Sequence, residues 1–183
     1  MRIIAGTFRG RRLKSPPSLE TRPTSDRLRE TLFNILAPRI ESARLLDLCA
    51  GSGAVGIEAL SRGAEHITFV DRSRRMCALV RANLGLCQVP KNQATVISSD
   101  AVEFLQRQIK KGNDSYNVVY FDPPYADDYS GTLELIGNSN LITAGVLILE
   151  HERRKALPEA VGKLRRYRVL KQGDSTLSFY SRA

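Results

Sequence analysis

Residues Leu45-Leu46-Asp47-Leu48-Cys49-Ala50-Gly51-Ser52-Gly53-Ala54-Val55-Gly56 join an apolar strand to a glycine turn and a helix start with no spacer between them. A strand feeding a helix through so short a turn opens a βαβ unit, and the units that follow in such a chain build a parallel sheet. The pattern after residue 45 agrees. Apolar runs near 45–48, 66–70, 94–98, 116–121 and 145–150 read as strands, and helical periodicity falls near 54–62, 73–84, 101–110 and 131–137. Beyond Pro158, β-like runs at 164–170 and 176–180 flank Gln172-Gly173-Asp174, the signal of an antiparallel hairpin. A mostly parallel α/β sheet ending in a reversed pair is expected.

Gly51-x-Gly53-x-x-Gly56 matches the dinucleotide fingerprint, and Asp71 stands 20 residues after Gly51 at the end of the next strand. A nicotinamide or flavin cofactor therefore has to be weighed. Asp47 points elsewhere, because a carboxylate just before the glycine turn repels a pyrophosphate. It suits a cofactor with a cationic centre and an amino-acid moiety, such as S-adenosylmethionine, whose ribose hydroxyls Asp71 can accept. Asp100 ends the run Ala94–Ser99 and has two readings, an adenine contact with Ala101 or the N-cap of the next helix.

The fourth strand runs Val118-Val119-Tyr120-Phe121 straight into Asp122-Pro123-Pro124-Tyr125. The prolines end the ladder and stiffen the chain at the strand's carboxyl end, where open α/β sheets bind ligands. A carboxylate, a fixed carbonyl at Pro123 and the ring of Tyr125 suit a planar substrate bearing an NH₂ group. Alone, the four residues are equally well a turn. Acids at three preceding strand ends weigh the balance toward methyl transfer to an exocyclic amine. The expected catalytic residues are Asp122, Pro123 and Tyr125. The expected cofactor contacts are Asp47, Ala50, Gly51, Ser52, Gly53, Asp71, Arg72, Asp100, Ala101 and Asp122.

At 183 residues the chain is expected to form one domain, with a basic extension over 1–40 and a core over 41–183. No apolar run approaches a membrane span and no leader pattern opens it, so a cytosolic, monomeric protein is expected. Cys49, Cys77 and Cys87 lack disulfide or zinc spacing, and His66 and His151 are isolated, so no metal is expected. The net charge is +9, and residues 1–29 hold eight cations against Glu20 and Asp26. Arg2, Arg9, Arg11, Arg12, Lys14, Arg22, Arg27 and Arg29 are therefore the expected contacts to a phosphate-rich partner.

Arg2–Ala5 reads as a short strand and 6–17 as a mobile basic segment, where Phe8 could stack on a base. Thr24 or Ser25 then caps a helix to about Leu36, with Leu28, Leu32, Ile35 and Leu36 on its apolar face and Arg22, Arg27 and Arg29 off it.

Four stretches together resemble the RsmD-type family of bacterial methyltransferases, which modify the N2 amine of a guanine in 16S ribosomal RNA. They are Arg2–Leu13, Arg22–Leu36, Asp47–Ala64 and Asp122–Tyr125. The last two are shared with many amino-methyltransferases, so the first two carry the specificity. Cys49 departs from the family, which more usually has phenylalanine there. The resemblance implies a Rossmann-like, class I S-adenosylmethionine-dependent fold with seven strands and a reversed last one. It also implies 16S RNA as partner, within a small-subunit assembly particle. Three other functions remain open at this level: an adenine-N6 nucleic-acid methyltransferase, a protein glutamine methyltransferase, which usually has Asn before the Pro-Pro, and a non-catalytic RNA assembly factor that holds S-adenosylmethionine.

Overall fold

The computed structural model describes residues 1–16, 25–112 and 115–182. Four parallel pairings build the centre of the sheet from β1 (Arg44–Leu48), β2 (His66–Asp71), β3 (Ala94–Ser98), β4 (Val118–Phe121) and β5 (Val146–Glu152). β1 is the pivot, with Asp47 opposite Phe69 of β2 on one side and Tyr120 of β4 on the other. The chain winds outward from it in both directions, so the crevice between the carboxyl ends of β1 and β4 is the topological switch point. A hairpin of β7 (Leu164–Gln172) and β8 (Ser175–Arg182) closes the far side, with β8 antiparallel to β5.

Eight strands stand in the order β3-β2-β1-β4-β5-β8-β7-β6, one more than the seven expected. The addition, β6, is the two-residue edge Ala160–Val161, too short to leave a periodic signal.

Helices cover both faces. α1 (Asp26–Ile40), α2 (Ala54–Ser61) and α3 (Arg74–Leu86) lie over one apolar cluster that includes Leu32, Phe33, Ile57, Phe69, Val80 and Phe179. α4 (Ala101–Lys111) and α5 (Ser130–Asn138) lie over the other, with Phe104, Leu105, Leu133 and Ile136. Ser25 caps α1 by accepting from Leu28 N; Thr24 and Arg22 lie outside the described residues. α1 continues to Ile40 rather than stopping near Leu36, with Pro38 inside its last turn. That turn survives the lost N–H because Ile40 is 2% exposed and packs into the core.

The basic segment is not loose. A single bridge pairs Arg2 with Arg12 in place of the strand expected at 2–5, and 6–14 is fastened to α2 and α3. Glu58 of α2 accepts from Ile4 N at 2.8 Å and Ala5 N at 3.0 Å. Ser61 accepts from Phe8 N through its hydroxyl and from Thr7 N through its carbonyl. Gly6 makes the approach possible. Its φ is +80°, and a Cβ there would sit 1.7 Å from the Ser61 carbonyl oxygen. Covered by the segment above and the sheet below, every residue of α2 is buried.

Candidate active site

The glycine turn after β1 has the geometry its sequence requires. Gly51 and Gly53 take φ of +55° and +76°, and Gly51 has open space where a side chain would stand. At Gly56 a Cβ would meet the Phe69 ring at 2.3 Å, so this glycine lets α2 lie close on β2.

The acids hold that turn as well as facing the crevice. Asp47, 2% exposed, accepts from Gly56 N at 3.1 Å. Burial pushes its carboxyl up to about 8; the Gly56 N–H opposes that push and the charge of Asp71 adds to it. Asp71 accepts from Gly51 N at 2.9 Å through one oxygen and from Ser73 N at 2.8 Å through the other. Each oxygen keeps a lone pair for a ligand hydroxyl. Asp100 is the N-cap of α4, accepting from Val102 N at 2.8 Å, and its carboxylate is exposed.

Asp122 follows β4 directly, and its N–H still reaches Leu48 O at 3.3 Å, which sets it beside the end of β1. Its carboxyl is pushed well above the usual range, first by burial and then by the charges of Glu150 and Asp47. Glu150 lies two residues before the end of β5, is 4% exposed, and accepts from the Tyr120 hydroxyl. Tyr125 is half-buried, and its hydroxyl lies 2.9 Å from Ser175 Oγ at the start of β8. Cys49 occupies the switch point itself with φ +62°, and burial together with Asp71, Asp122 and Asp47 raises its thiol pKa, leaving it a neutral neighbour. Arg72 reaches over the mouth to Asp127, 3.6 Å away in the loop after β4.

A family model described as "Conserved hypothetical protein 95" matches residues 1–181. The chain is 38% identical over 187 residues to ribosomal RNA small subunit methyltransferase D of Escherichia coli (strain K12), covering all of this chain and 90% of that one. The chain belongs to this family. The same-named protein of Haemophilus influenzae is 37% identical over 159 residues, covering 86% of this chain and 81% of its own. Among solved structures, a hypothetical protein of Thermus thermophilus superposes with a TM-score of 0.85 at 30% identity, covering 99% of each chain. The expected Rossmann-like, class I methyltransferase architecture is therefore the one this family member has.

Within that family frame, the cations expected on the extension divide. Arg2, Arg9, Arg12, Lys14 and Arg27 are exposed. Arg11 is half-buried and donates to Leu86 O at 2.8 Å. Arg29 does not belong with them, being 0% exposed. It donates to Arg2 O at 2.5 Å and Asp26 at 3.0 Å, and pairs with Glu58 at 3.7 Å. A guanidinium so enclosed cannot meet a phosphate.

Glu58 and Asn83, two polar residues that sequence reasoning passed over, do most of the fastening. The signal for Glu58 was present, since it is a lone acid in the otherwise apolar run Ala54–Leu60. Asn83 offered none. Among the described residues no cluster of His, Cys, Asp or Glu could hold a metal, and no helix is long and apolar enough to cross a membrane.

Proposed function

We propose that the protein transfers the methyl group of S-adenosylmethionine to the N2 amine of a guanine in small-subunit (16S) ribosomal RNA, presented within an assembling particle. The observation that carries this reading is the placement of Asp122. It stands at the switch point on a proline-stiffened strand end, within the field of two further buried acids. The family relatives' names support RNA of the small subunit as substrate.

The donor set fits the cofactor. Asp47, Asp71 and Asp122 make the pocket acidic, which opposes a pyrophosphate and favours a ligand carrying sulfonium and ammonium charges. Asp47 would face the amino-acid moiety across the open space at Gly51, Asp71 the ribose, and Asp100 with Ala101 the adenine. Bound there, S-adenosylmethionine supplies an electrophilic methyl group.

The chain's own residues do the rest. The Asp122 carboxylate and the Pro123 carbonyl accept the two amine hydrogens, which draws the nitrogen lone pair out of the ring. Fixed alignment supplies much of the rate. Asp122 stabilises the positive charge that develops on nitrogen and then takes its proton, a task to which its raised proton affinity is suited. Tyr125, steadied by Ser175, offers its ring to the base, which enters unstacked from the RNA.

Asp122→Ala should lower kcat on the order of 100- to 10,000-fold while S-adenosylhomocysteine binds with little change. Near-normal turnover in that variant would remove Asp122 from the chemistry.

A further inference from the structure

β7 carries a feature the catalytic reading leaves unused. β6 pairs only with Leu164 and Arg165, and Arg166 N donates to Glu159 O. From Tyr167 onward β7 has β8 on one side and, among the described residues, no strand on the other. A bulge between Arg166 and Arg168 throws Tyr167 out of register. Tyr167 is 51% exposed, and its ring rests against Phe179 at a centroid distance of 6.2 Å.

Arg39 and Arg168 neighbour that ring, and Arg165 lies further along β7. Arg168 stands opposite Phe179 and Arg165 opposite Ser181, so both guanidiniums rise from the face that carries Phe179. Arg39, in the last turn of α1, and Arg168 are near enough to act electrostatically on the Tyr167 phenol. All three arginines are exposed, and among the described residues none has a carboxylate partner. Arg62, by contrast, is held by Glu58 at 2.8 Å.

We infer that this outer face of β7 is a second RNA-contact surface, where Tyr167 with Arg39, Arg165 and Arg168 takes an unpaired stretch of RNA; the inference rests on the function proposed above. Charge complementarity selects the occupant. Cations on a sheet edge discourage the addition of a protein strand, so they alone would be a solubility device. An exposed aromatic serves no such purpose. Set among unneutralised guanidiniums, it is the arrangement that stacks a base while the cations take flanking phosphates.

The test is methyl-transfer kinetics and filter binding on protein-free small-subunit RNA and on small-subunit particles lacking the modification, with the melting temperature as folding control. Tyr167→Ala should raise the KM for RNA about tenfold, the loss of one stacked base, with kcat and S-adenosylhomocysteine affinity unchanged. Tyr167→Phe should behave as the parent protein. The Arg165→Gln/Arg168→Gln pair should lower the slope of log affinity against log salt by about 1.4. Unaltered KM and slope in both the Tyr167→Ala and the double variant would overturn the surface. So would an effect seen only on protein-containing particles, which would make the face a protein contact. If the parent protein transfers no methyl group either to protein-free RNA or to particles lacking the modification, the proposed function fails, and filter binding still decides the surface. Weakened RNA binding by the variants upholds it, and unchanged binding overturns it.

Discussion

Asn83 clamps Lys14 by both backbone groups: its Oδ1 accepts from Lys14 N at 2.8 Å and its Nδ2 donates to Lys14 O at 3.1 Å. The same Nδ2 donates to Ser52 O at 2.9 Å, in the glycine turn. One fully buried carboxamide thus ties the basic extension to the cofactor loop. Asn83→Ala leaves three backbone groups without that partner and should cost about 3 kcal/mol of stability. It should also weaken S-adenosylhomocysteine binding, because Ser52 loses its tether. Thermal denaturation and calorimetric titration of the variant check both effects, and unchanged affinity would show that the turn holds its shape unaided.

Glu58 and Arg29 supply the second fastening, and each is fully buried. Removing the acid leaves the buried guanidinium with only the half-exposed Asp26 as counter-charge, so Glu58→Ala should cost about 3 kcal/mol. Arg27→Ala, at an exposed position of the same helix as Arg29, should change stability by no more than about 0.5 kcal/mol. Denaturant titration of the two variants separates a structural arginine from a surface one.

Gly6→Ala places a methyl group inside the Ser61 carbonyl and on a left-handed backbone. The extension should detach from α2 while the sheet persists. Limited proteolysis is then expected to cut within residues 1–14 in the variant and to spare them in the parent.

The difference between Arg27 and Arg29 shows where the sequence stops being readable. The seven longer strands and the glycine turn announce themselves locally, through apolar runs and fixed spacing, and fell within a few residues of expectation, whereas the strand expected at 2–5 is a single bridge and β6 left no signal. The acids at the strand ends were legible for the same reason: Asp47 and Asp71 lie in the last two positions of their strands, Asp122 directly follows its own, and Asp100 comes two residues after β3. Arg29 was misplaced although Phe33 and Leu36 stand four and seven positions on, the spacing of its own buried face. Charge outweighed periodicity, and of the two acids that meet Arg29 the buried one, Glu58, lies 29 residues away. The order of the basic segment was equally hidden. It comes from Glu58, Ser61 and Asn83 acting on distant backbone groups, and no local pattern encodes that.

Asp47 makes the protein sensitive to pH. Its carboxyl titrates near 3.8 when unfolded and is raised to about 8 by burial in the fold. Between those values the folded state holds a proton that the unfolded state has lost, so stability contributed by this group falls as pH rises through the interval. The melting temperature of the free protein should carry a decline from this group between about pH 4 and about pH 8, and Asp47→Asn should remove that part of it. A cationic cofactor favours the ionised acid, so its affinity should rise over the same range. Titration calorimetry in buffers of different ionisation enthalpy should register proton release on binding.

Methyl transfer from labelled S-adenosylmethionine to small-subunit ribosomal RNA and to subunits lacking the modification, followed by nucleoside analysis, tests the central claim most directly. Label in N2-methylguanosine, lost in Asp122→Ala, is the expected result. Label in N6-methyladenosine, or none in either substrate despite cofactor binding, would contradict it.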